Sequence, residues 1–210
     1  MHPVISCEDF IDFFKSQRND KHTKYCFIMG SGCSVENGIA TGWALADKWY
    51  RELPDHYSGD EIANWKAVES INESDIGFYY SKIFKFRFAN SLGAGYEAIN
   101  FEIEKGKTGI GHIILLQLMI KTGSNVTITT NFDTLVEEAL YTFTKVRPII
   151  CGHESIARYA HPSVNHPLII KIHRDRFMEP FNLDEEIAEL RPEWTKVLNQ
   201  VFSTANRRSS

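Results

Sequence analysis

Four short apolar runs separated by helical stretches limit the fold of this chain more than any other feature. They are YCFIM (residues 25–29), NVTIT (125–129), VRPII (146–150) and LIIKI (168–172). Each is too short for a helix and rich in β-formers, and helical periodicity lies between several of them. That alternation predicts a parallel α/β sheet of the Rossmann-like kind, with helices on both faces. Pro148 interrupts the third run and has no N–H to give to a ladder, which places that strand at an edge.

Residues 44–107 break the pattern. They hold no strand-like run and are rich in aromatics, as in FYYSKIFKFRF (78–88). The segment is too long for a plain βα crossover and reads as a helical insertion forming one wall of a cleft. Its aromatic and basic residues have the types that stack on single-stranded nucleic acid. Packing of those rings in a helical core is the favoured reading, because so much apolar side chain has to be buried.

A length of 210 residues suits a single domain with a substantial core. With 23 basic against 27 acidic residues the net charge is -4, which gives no electrostatic case for nucleic acid or an anionic membrane as partner. The longest apolar run, residues 113–120, is too short to span a bilayer. Glu8, Asp9 and Asp12 stand where a signal peptide would be apolar, so the start reads as a helix capped by Ser6 with a Phe10, Phe13 and Phe14 stripe. A cytoplasmic protein is expected. Cys7, Cys26, Cys33 and Cys151 form no C-x-x-C pair, so neither structural zinc nor a disulfide framework is expected, and Cys26 reads as a core residue.

Near the end, EWTKVLNQVF puts Trp194, Val197, Leu198, Val201 and Phe202 on one helical face, with Pro192 suited to the first turn. A helix in this position should deliver the chain to a further strand, so the C-terminal part of the fold is expected to lie beyond residue 210.

Three places carry candidate chemistry. Gly30-Ser31-Gly32 follows the first β-run directly; glycine permits close approach of backbone to a ligand, and amides at a helix start favour anions. The dinucleotide fingerprint G-x-G-x-x-G needs a glycine at 35, where Val35 stands, and the next glycine is Gly38. Glycine spacing alone leaves a phosphate cradle and a plain turn at even odds. Gly106-Lys107-Thr108 imitates the tail of a P-loop, but Phe101 occupies the earlier glycine position and no strand precedes it. Asn131, Phe132 and Asp133 leave the second run at its carboxyl end, with Asp133 also placed to cap the next helix. His173 and Asp175 leave the fourth run; a lone His there more often packs or faces solvent than catalyses. All three places sit where open α/β sheets bind ligands.

Together these residues resemble the sirtuin family, and more closely its bacterial sirtuin-like branch of NAD-consuming immune effectors. Sirtuins carry G-A-G-x-S-x-x-S-G-I-P, then T-Q-N-x-D, then H-G. The counterparts are residues 30–40 (GSGCSVENGIA), 129–133 (TTNFD) and His173-Arg174, in the same order and with similar separation. The similarity runs from about Phe27 to Leu198. It implies that Gly30, Ser31, Gly32 and Ser34 hold the phosphates of NAD+, with Gly38 and Ile39 continuing the loop towards the ribose. It places Thr130 beside the cofactor, and Asn131, Asp133 and His173 near the nicotinamide ribose.

The four zinc-binding cysteines of protein-deacylating sirtuins have no counterpart, so the resemblance points to an NAD+ glycohydrolase (NADase) without a metal. A sensor that binds NAD+ or ADP-ribose without turnover is the alternative, and a deacylase ranks below both. Asn131 would hold ribose hydroxyls or the attacking water, and His173 would take a proton. Asp133 would bind the nicotinamide amide or favour the developing cation, unless capping is its whole role. Arg174 replaces the family's glycine: positive φ there would cost about 1 to 2 kcal/mol, and its side chain would either crowd the pocket or meet a phosphate. The family continues past the last helix into a further strand and a G-Y-S-G-like stretch, which agrees with the expectation drawn from the last helix. The resemblance further implies antiviral defence by NAD+ depletion. Its expected partners are homo-oligomers or a second defence protein: an ATPase, an Argonaute-like protein or a sensor chain.

Overall fold

The computed structural model describes residues 6–17, 25–161, 163 and 165–206. Its sheet holds β1 (Cys26–Met29), β2 (Val126–Thr129), β3 (Ile149–Cys151) and β4 (Leu168–Lys171) in the order β1-β2-β4-β3, every pair parallel. The described helices are α1 (Cys7–Gln17), α2 (Gly42–Glu52), α3 (Gly59–Glu69), α4 (Tyr80–Arg87), α5 (Leu92–Ile103), α6 (Ile110–Thr122), α7 (Leu135–Phe143), α8 (Asp184–Ile187) and α9 (Pro192–Asn206). Short 3-10 segments link several of them.

β2 and β4 are central and buried along their whole length, so their residues alternate between two covered faces. Val126, Ile128, Leu168 and Ile170 meet Trp194, Val197 and Val201 of α9. On the opposite face Ile169 meets Leu116 of α6 and Val136, Ala139 and Leu140 of α7. The α/β architecture with helices on both faces is therefore the observed one. β3 begins immediately after Pro148 and lies at the edge, later than the expected 146–150, because the ladder needs the Ile149 N–H that proline lacks.

Phe202 departs from the expected α9 stripe and is 46 % exposed. At about 100° per residue Phe202 lies about 80° around α9 from Trp194, at the edge of the stripe, whereas the neighbouring Val201 falls within it and is buried. In α1, Ser6 caps as expected, accepting from the Asp9 N–H at 3.0 Å, and Phe14 packs on Tyr25. Phe10 and Phe13 are exposed, so the expected stripe is only partly covered.

Between β1 and β2, helices α2 to α5 carry their own apolar cluster, built on Trp49, Ile83, Phe84, Phe88, Ile99 and Ile103. Thr41 starts α2 by accepting from the Ala44 N–H, and Ser58 with Glu61 forms a capping box on α3. The aromatics of residues 78–88 mostly pack: Phe84 and Phe88 surround Trp49, and Phe86 stacks on both Tyr57 and Trp65. Phe78 is the exception, exposed and edge-on to Trp43. Gly77 is required beside it, since a Cβ there would lie 2.0 Å from the Trp43 ring. Among the described residues no helix is long and apolar enough to cross a membrane.

Candidate functional site

The carboxyl ends of β1, β2 and β4 open on the same side, facing α2, α5 and the loop before α8. Between them lies a cavity of about 310 Å³, at the small end of the roughly 300–1,000 Å³ typical of ligand sites. Ser31 and Ile39 line it from the segment after β1, Thr130 and Asn131 from the end of β2, and His173 from the end of β4. Apolar walls come from Leu45, Ile99 and Ile103 on the helical side. The three sequence-separated candidate places therefore meet around one cavity.

After β1 the chain enters a 3-10 turn, Ser31–Asn37, closed by Gly38 at φ 93°. That left-handed backbone is why a glycine stands there. Gly30, Ser31 and Gly32 are exposed, and the first amides of the turn have no earlier helical carbonyl to bond. Gly30, Gly32 and Gly38 belong to the turn without lining the cavity. The P-loop-like stretch braces the turn instead: Asn37 donates to Lys107 O at 2.7 Å, and Lys107 N–H donates to Asn37 O at 3.0 Å. A Cβ on Gly106 would meet Ile39 at 2.6 Å and one on Gly109 would meet Asn37 at 2.0 Å, so both glycines serve this contact.

Ser34 is buried, and its hydroxyl donates to Asp133 Oδ2 at 2.7 Å. Asn131 Nδ2 donates to Gly30 O and to Ser34 Oγ, both at 3.1 Å. A carbonyl oxygen can only accept, so the Gly30 contact fixes which end of the amide is nitrogen. Asn131 Oδ1 is then left buried with no partner among the described residues, an arrangement that costs about 1–3 kcal/mol until a donor arrives. Asp133 uses its other oxygen to accept from the Leu135 N–H at 3.2 Å, so it satisfies the first amide of α7 from one residue before the N-cap, Thr134, whose side chain makes no cap bond. Both of its oxygens are engaged with the protein.

His173 is half-buried, and no described group hydrogen-bonds its ring. Burial lowers its pKa below the ordinary histidine value, which favours the neutral ring at pH 7. Arg174 has φ 69°, the left-handed conformation expected at that position. Its side chain turns away from the cavity. It binds Glu154 through Nε at 2.9 Å and through Nη2, and lies 4.0 Å from the Phe181 ring centroid. Neither a crowded pocket nor a phosphate contact follows from it. Phe181, also 4.6 Å from Arg191, carries this bracing to the cavity wall, and Tyr80 closes the wall by donating to Asn182 Oδ1.

Two residues near the cavity were not anticipated from the sequence. Glu102 is buried at the cavity with Lys48 and Lys105 at 2.6 and 2.7 Å. Lys171, wholly buried at the end of β4, sits behind the Asn131 loop. The signal for Lys171 was present: a lysine inside LIIKI, where the pattern calls for an apolar residue. Cys33 is exposed in the glycine turn, whereas burial pushes the Cys26 thiol up to about 11, in keeping with a packing role. Set against known proteins, the chain matches no family model, and no curated protein matches it.

Proposed function

We propose that the chain binds NAD+ in this cavity and hydrolyses its nicotinamide–ribose bond, releasing nicotinamide, ADP-ribose and a proton. The observation that carries this reading is the meeting of Asn131, with its unpartnered Oδ1, and neutral His173 at the carboxyl edge of a parallel sheet. Asn131 Oδ1 accepts from a ribose hydroxyl or the attacking water, and its burial makes that bond count for more than it would in solvent. His173 takes the proton as water adds to the sugar carbon, a role worth roughly 10² to 10⁴ in rate. The leaving group already carries positive charge, so no strong acid is needed. Asp133, with both oxygens occupied, holds Ser34 and the start of α7, so its contribution is to the shape of the site. The cavity takes the nicotinamide–ribose end, and the phosphates lie along the open amides of residues 30–32.

The role in antiviral NAD+ depletion, a cytoplasmic location and assembly with itself, an ATPase, an Argonaute-like protein or a sensor chain rest on the sirtuin-like motifs alone. One observation favours the second reading, a binding module without turnover: among the described residues none hydrogen-bonds the His173 ring to orient it. Calorimetry with ADP-ribose and with NAD+, followed by chromatography of the NAD+ sample, separates the two. Hydrolysis predicts binding of both and recovery of nicotinamide, whereas intact NAD+ after saturation selects the binding module. Absence of binding to either contradicts both readings.

A further inference from the structure

Lys171 ends β4, a central strand, and its side chain is wholly buried. Among the described residues no other lysine or arginine is buried. The Lys171 ammonium donates to Asp133 O at 2.7 Å and to Asp175 Oδ2 at 2.7 Å, and forms an ion pair with Glu137 Oε1 at 2.8 Å whose angle is not that of a hydrogen bond. Phe132 O stands further off at 3.4 Å. Burial pulls the Lys171 pKa down, but the Glu137 and Asp175 carboxylates outweigh it, so the side chain stays charged.

The three close partners belong to different pieces of chain. Asp133 lies two residues past Asn131 in the loop leaving β2. Glu137 is in the first turn of α7. Asp175 lies two residues past His173 in the loop leaving β4, and its N–H reaches Gly152 O beyond β3 at 2.8 Å. One cation therefore ties the loop that carries Asn131 to the loop that carries His173. We propose that Lys171 is a positioning residue, holding these two loops at the separation the nucleotide site requires. The proposal rests on the NAD+ reading for the identity of the ligand, although the tie itself does not. A charge placed here only to stabilise the core would be a poor device, because buried ion pairs are often replaceable by apolar residues at little loss. What an apolar residue cannot replace is the grip on a main-chain carbonyl beside Asn131.

The test separates grip from ion pair. Lys171→Met combined with Glu137→Leu removes the ammonium and the carboxylate most deeply buried with it, and is expected to unfold close to the wild-type temperature. Its affinity for ADP-ribose, measured by calorimetry, should nonetheless fall by roughly tenfold or more, in line with the cost of misplacing a site by about 1 Å. The side-chain amide NMR signals of Asn131, assigned by their loss in Asn131→Ala, should move. Glu137→Gln, which keeps the lysine and its bond to Asp133 O, should lose stability while retaining affinity and the Asn131 signals. Wild-type affinity with unmoved Asn131 signals in a folded double variant would overturn the proposal, as would an equal loss of affinity in Glu137→Gln. If the wild-type chain binds no ADP-ribose, the NAD+ reading fails, and the Asn131 signals of the two variants still decide the role of Lys171.

Discussion

Asn131 and His173 divide the chemistry by what surrounds them. The asparagine is locked by Gly30 and Ser34, while no described residue hydrogen-bonds the histidine, whose pKa is lowered by burial. That shift gives a signed expectation. If neutral His173 is the base, kcat/KM for NAD+ rises as pH increases through the folded-state pKa and is flat above it. Because burial lowers that pKa, the midpoint falls below the ordinary value of about 6.5. A pH–rate profile with its acidic limb centred at or above that value contradicts the assignment. Arg174 offers a stability test at the same scale. Both Arg174→Ala and Arg174→Gly lose the Glu154 and Phe181 contacts, but only alanine keeps the cost of positive φ. In urea unfolding the glycine variant should be more stable than the alanine variant by about 1 kcal/mol, and equal stabilities would show that the backbone there is unstrained.

The elements show which parts of the fold the sequence revealed. β1, β2 and β4 were legible because four or five β-formers in a row admit little else, and the edge position of β3 was legible because Pro148 has no N–H. The width of α9's buried stripe was not legible, since periodicity marks a face but not how far round the helix its neighbours reach. Trp194 lies within that stripe and Phe202 at its edge, the first wholly buried and the second 46 % exposed. Trp194→Ala should cost about 3–5 kcal/mol, and Phe202→Ala no more than about 0.5 kcal/mol. Similar losses in chemical unfolding would contradict that difference in burial. That Asn131 and His173 would face one cavity was legible from their place after β-runs. The Ser34–Asp133 bond and the partners of Lys171 were not, because each joins residues distant in sequence or depends on a loop path that no local pattern encodes.

For the molecule as a whole, the cavity lies where two cores meet. The loops leaving β1, β2 and β4 supply the polar edge, and α2, α4 and α5 with residues 181–187 supply most of the apolar wall. Within that wall α4 is fastened to residues 182–185 by polar contacts: Tyr80 with Asn182, the Asp184 N–H donating to Ser81 Oγ at 3.1 Å, and Lys85 with Glu185. A site divided in this way excludes water once filled, which suits chemistry that must choose a single water molecule as nucleophile. On the proposed NAD+ reading, this water attacks the nicotinamide ribose under the control of Asn131 and His173. The most direct measurement is the initial rate of nicotinamide release from NAD+ by the wild-type chain, Asn131→Ala and His173→Ala, each first shown to be folded. Release by the wild type and a fall of roughly 10²-fold or more in each variant are expected; release at the same rate from all three would contradict the roles given to Asn131 and His173.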